Sequence, residues 1–82
     1  MTIPKSICHL VNPGTEEFIE KHTQTLEDVF RVIAEDRLRN LACTGGFKEA
    51  REIGLALLKE AANTNPGAYM TVAQVMETLG LQ

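Results

Sequence analysis

The sequence predicts an all-α fold: a small three-helix domain with a long first helix, a helical hairpin and a short capped C-terminal helix. Three observations predict it. Apolar residues recur every three or four positions in each segment, the period of a helix with one buried face. Turn-forming residues concentrate at Asn12-Pro13-Gly14, Thr44-Gly45-Gly46 and Asn63-Thr64-Asn65-Pro66-Gly67, which cut the chain into an N-terminal arm and three helical segments. Strict two-residue alternation is absent except, weakly, between Ile3 and Val11. Residues 1–82 read as one domain, and the arm over 1–12 reads as an edge strand, an added helical turn or a flexible tail.

The first helical segment opens with Asn12 as N-cap and Pro13 at the first helical position, where a missing N–H costs nothing. Glu16, Glu17 and Glu20 suit the positive end of its dipole. The apolar positions Phe18, Leu26, Val29, Phe30, Ile33, Leu38 and Leu41 keep a helical phase, with His22 on the same line. Either one helix covers roughly 15–42, or two helices meet near Thr23–Thr25 with Thr25 as the second cap. The unbroken phase favours the long helix. The pairs Glu17–Lys21, Glu27–Arg31 and Glu35–Arg39 are spaced i,i+4 with the acid first, the better orientation.

Gly45-Gly46 ends that helix, because glycine readily takes the left-handed cap conformation. The second helix runs from about Phe47 to Asn63, with Phe47, Ala50, Ile53, Leu57, Leu58 and Ala61 on its apolar side. Gly54 within it implies close approach of another helix, since glycine there costs about 1 kcal/mol against alanine. Asn65-Pro66-Gly67 reads as a type II turn. Thr71-Val72-Ala73-Gln74 then reads as a capping box, with Met70 and Val75 as its hydrophobic staple. Val72, Val75, Met76 and Leu79 form the buried face, and Gly80 stops the helix with Leu81 folded back on Met76.

Composition narrows the function. Hydrophobic residues are 44% and charged residues 23%, a globular balance, and the net charge of −3 does not mark a bulk polyanion binder. The longest purely apolar stretch is Leu55-Ala56-Leu57-Leu58, far short of the roughly 20 residues a membrane span needs. With no secretory signal pattern at the start of the sequence, the expected setting is the cytoplasm, without membrane association and with Cys8 and Cys43 as free thiols.

Reactive constellations are sparse. Cys8, His9, His22 and Cys43 are the soft metal ligands, and none has the local Cys-x-x-Cys or His-x₃-His spacing of a structural zinc site. Cys43 sits at a helix C-terminus, the wrong end of the dipole for a reactive thiolate. The acid pairs Glu16-Glu17 and Glu35-Asp36 lie on polar faces beside cations. Thr44-Gly45-Gly46-Phe47-Lys48 lacks the full phosphate-loop pattern and a preceding strand. The expectation is a protein that is not an enzyme and carries no cofactor or metal.

The stretch Asn65 to Leu81 resembles the opening of a helix-turn-helix, in which a proline–glycine turn leads to a Thr-Val-Ala-type cap, a short helix and a Leu-Gly-Leu turn. That resemblance implies a nucleic-acid-binding regulator whose recognition helix would follow Leu81. Its phosphate contacts would come from Arg31, Arg37, Arg39, Lys48 and Arg51, which are interleaved with acids along the chain.

The stronger signal is apolar excess. The second helix is apolar around more than half its circumference, and three helices of this size have too few partners for all of it. Exposed apolar surface of this kind marks an interface. Phe47, Ile53, Leu55 and Leu58 are the candidate interface, and a symmetric homodimer is the commonest way to bury such a face. The function expected is a small regulatory or adaptor protein binding through a helix, with a protein partner whose identity the sequence does not reveal. The alternatives are the nucleic-acid-binding regulator and a thiol- or metal-dependent sensor.

Overall fold

The computed structural model describes residues 3–81, and among them there is no strand. A 3₁₀ turn over Cys8–Leu10 precedes α1 (Pro13–His22), α2 (Leu26–Ile33), a π-helical segment (Ala34–Leu38), α3 (Arg39–Cys43), α4 (Phe47–Thr64) and α5 (Pro66–Thr78). The all-α class is as predicted. Because α2, the π segment and α3 run on as one helix over 26–43, the described residues form four helical bodies rather than three.

The extra body comes from a break in the expected long first helix. Thr23 and Thr25 both take extended backbone, with φ/ψ of −111°/146° and −132°/159°. The Thr23 hydroxyl donates to the Ile19 carbonyl, and the Thr25 hydroxyl accepts from the Asp28 N–H at 3.1 Å. Threonine side chains that bond the local backbone compete with the helix ladder and favour caps. The break also resets the helical phase, so α1 buries Ile19 and leaves Phe18 50% exposed, the reverse of the continuous-helix reading.

The π segment restores the phase further on. In a straight α-helix Leu38 would stand well around the axis from Ile33. The wider turn brings it back, and Ile33, Ala34 and Leu38 are all buried. The helix then ends in a Schellman motif: Gly45 has φ 85°, the Gly46 N–H donates to the Leu41 carbonyl at 2.7 Å and the Gly45 N–H to Ala42.

At the next turn the sequence reading needs a larger correction. Asn65-Pro66-Gly67 is not a free turn before a Thr71 cap. It is the start of α5 itself. Asn65 is extended and its Oδ1 accepts from the N–H groups of Gly67 (2.9 Å) and Ala68 (3.4 Å), while Pro66 takes the first helical position. Thr71 therefore lies inside the helix, where its hydroxyl reaches the Gly67 carbonyl and Glu27 Oε1 on α2, each at 3.0 Å. Met70 is not a staple and is 69% exposed. The far end is as expected: Gly80 has φ 72° and the Leu81 N–H donates to the Met76 carbonyl at 2.8 Å, with Leu81 buried.

The core gathers Val29, Phe30 and Ile33 from α2, Ala50, Ile53, Leu57 and Ala61 from α4, and Ala68, Val72 and Met76 from α5. The arm adds Ile3, Ile7 and Leu10, so its described part is a helical turn packed on the core rather than an edge strand or a loose tail. Residues 1 and 2 lie outside the described range. The α4–α5 pair shares the most extensive interface. It closes over Gly54, where a Cβ would sit 2.7 Å from the Met76 sulfur, which explains the mid-helix glycine.

Candidate functional site

The side of α4 turned from the core carries Lys48, Arg51, Glu52, Leu55, Lys59 and Ala62, all exposed. Inward-facing positions recur at 50, 53, 54, 57 and 61, so the residues between them fall on the opposite side at about 3.6 residues per turn. Leu55 stands at the middle of this outer ridge, 54% exposed, and Leu58 borders it, half-buried. Phe47 begins the helix, 52% exposed. Of the four interface candidates, Phe47, Leu55 and Leu58 are thus available at the surface. Ile53 is not: it is 9% exposed and belongs to the chain's own core.

The five basic candidates do not form one patch. Arg31 and Arg39 line an open groove of about 780 Å³ between α1 and the 26–43 helix, together with Asp28, Glu35 and Asp36. Arg31 pairs with Asp28 at 3.2 Å rather than with Glu27, which turns instead to Thr71. Lys48 and Arg51 border a separate depression with Phe47, Gly80 and Leu81. Arg37 is withdrawn from both. Its Nη1 donates to Asn12 Oδ1 at 2.6 Å, and its Nε is buried without a hydrogen-bond partner. The groove at α1 has an aromatic rim, Phe18 against His22 with ring centroids 4.7 Å apart.

Sequence reasoning missed the polar clasp that positions this groove. Asp36 accepts from Asn12 Nδ2 (3.0 Å), Thr15 Oγ1 (2.7 Å) and, through its other oxygen, Asn40 Nδ2 (3.3 Å). Asn12 precedes α1 as predicted, but its side chain serves the clasp and makes no cap bond. The π segment presents Asp36 and Arg37 toward Asn12. No local signal foretells it, because the partners lie 24 and 25 residues apart.

Cys8 and Cys43 are free and exposed, and the Cys8 thiol donates to the Lys5 carbonyl at 3.3 Å. Among the described residues no three His, Cys, Asp or Glu side chains come together as a metal site, and no helix is long and apolar enough to cross a membrane. No family model matches the chain, and no curated protein or solved structure resembles it significantly.

Proposed function

We propose that the protein is a small regulatory or adaptor protein that acts in the cytoplasm by helix-mediated protein binding, without enzymatic activity, and works as a homodimer. The observation that carries this reading is the outward placement of Leu55 and Phe47 on α4, each about half exposed while the core beside them is closed. Large apolar side chains on an otherwise charged helix face favour association over solvation. The nucleic-acid reading has less support: Arg31 and Arg39 lie in a groove among carboxylates, Lys48 and Arg51 on a separate surface and Arg37 on neither, and the proline–glycine segment is part of a helix rather than the turn before one. The sensor reading rests on thiols with no clustered co-ligands among the described residues.

Leu55→Glu tests the proposal. Because Leu55 touches solvent in the single chain, the variant should keep its helicity. A carboxylate buried at an interface is costly enough to part it. Light scattering should show a dimer for the native protein at micromolar concentration and a monomer for the variant. A native protein that is monomeric at high micromolar concentration removes the homodimer from the proposal.

A further inference from the structure

We infer that the occupant of the outer α4 face is a second copy of the same α4, running antiparallel with Leu55 beside the two-fold axis and the Glu52 carboxylate of each chain paired with the partner's Lys59. The inference rests on the self-association proposed above and adds its geometry. The argument is one of charge. At about 3.6 residues per turn, Glu52 and Lys59 lie on one flank of Leu55, and Arg51 and Leu58 on the other.

When two copies cross antiparallel about a two-fold axis, each flank meets its own counterpart in reverse order. Glu52 then meets the partner's Lys59, and symmetry repeats the pair. On the other flank the Arg51 stem lies across the partner's Leu58, covering apolar surface while its head stays wet. Lys48 meets the uncharged end at the partner's Ala62 and the partner's Asn63. No like charges face each other.

A parallel pairing exchanges the flanks: Glu52 would meet the partner's Arg51, but Lys48, close to the seam, would face its own copy across the axis. Like-charge juxtaposition is what sets orientation in helix pairs. A ridge with one central leucine, a half-buried leucine and an alanine offers a small apolar core. The dimer should therefore be of the weak, micromolar class.

The test has two arms, each read on the full chain with helicity checked by circular dichroism. In the first, sedimentation equilibrium follows Glu52→Lys, Lys59→Glu and the double exchange. Each single change places like charges at both symmetric contacts and should weaken the dimer at least tenfold. The double exchange should return it to within about threefold of native. Failure of the exchange to restore association overturns the pairing.

The second arm joins single cysteines with a short bis-maleimide in a Cys8→Ser, Cys43→Ser background. Leu55→Cys should cross-link at concentrations where the dimer is populated. Lys48→Cys should not, because antiparallel helices separate the two copies of position 48 by about 22 Å at 1.5 Å per residue. Equal cross-linking at both positions overturns the antiparallel arrangement while leaving a dimer in place. A native chain monomeric at high micromolar concentration overturns the homodimer itself.

Discussion

The α4–α5 hairpin and α1 are attached to the molecule by different physics. The hairpin is joined by a single residue, Asn65, and closes on apolar contact. Ala50, Leu57 and Ala61 are fully buried, and Gly54 lets the Met76 thioether lie where a Cβ would stand. By contrast, α1 buries only Ile19 along its ten residues. What holds its start is a set of hydrogen bonds onto Asp36 and Arg37 of the π segment. Apolar burial adds to global stability in proportion to area. Partly solvated hydrogen bonds contribute about 0.5–1.5 kcal/mol each and can be lost locally. The hairpin should therefore unfold with the whole chain, and α1 should open before it.

The largest effect should come from Leu57→Ala. Leu57 is fully buried on the core side of α4. Its truncation should cost about 2–5 kcal/mol, a large part of the roughly 4–12 kcal/mol expected for 82 residues at typical stability per residue. A urea midpoint shift below about 1 kcal/mol equivalent would mean that α4 is not the centre of the core.

Gly54→Ala sharpens the same point. Alanine gains about 1 kcal/mol in helix propensity but collides with a Met76 side chain that is itself 1% exposed. Overpacking costs about 1–3 kcal/mol, so a net loss near 1 kcal/mol is expected. In a Met76→Ala background the collision is gone and the same substitution should stabilise. A double-mutant cycle that shows no change of sign would locate the strain elsewhere.

On the other side of the comparison, Asp36→Ala should act mostly on α1. Asn12 and Thr15 lose their acceptor, and the released helix keeps little apolar attachment. Amide exchange over residues 17–22 should quicken about tenfold or more, equivalent to at least ~1.4 kcal/mol of local stability. The amides of α4 should hold within a factor of about two. Uniform acceleration across both regions would show that the clasp supports the whole fold and that the contrast is false.

The same contrast explains what could be read from the sequence. Helical class, both glycine stops, the Gly54 close approach and most of the α4 and α5 core follow from local periodicity and cap chemistry, which act within a few residues. The π segment and the Asp36 clasp depend on partners more than 20 residues away, and no spacing rule reaches them. The break at Thr23–Thr25 was legible as an option, since Thr25 and Asp28 have cap spacing. The apolar phase through His22 argued the other way, and the structure shows that phase to be coincidental: Ile19, not Phe18, faces inward. On the candidate site, Leu55 and Phe47 were legible because a three-helix chain has a limited interior. Ile53 lies on the core side that the periodicity predicts, 9% exposed, and so is not available as an interface residue.

The smallest effect decides between two readings of one helix start. If Thr71 were the N-cap, its replacement by alanine would cost about 0.5–2 kcal/mol. In the structure Asn65 holds that post, and Thr71 sits a turn and a half inside α5. There Thr71→Ala gives up hydrogen bonds to the Gly67 carbonyl and to Glu27, the latter at the surface. It gains helix propensity in return, since threonine ranks well below alanine in a helix interior, by roughly 0.5–0.7 kcal/mol. The two terms nearly cancel, so the change should lie within about 0.5 kcal/mol of zero. Asn65→Ala, made in parallel, removes the acceptor for two N–H groups and should cost about 1 kcal/mol. Denaturant midpoints in the order native, Thr71→Ala, Asn65→Ala place the start of α5 at Pro66. The reverse order would return it to Thr71 and leave Pro66-Gly67 in a turn.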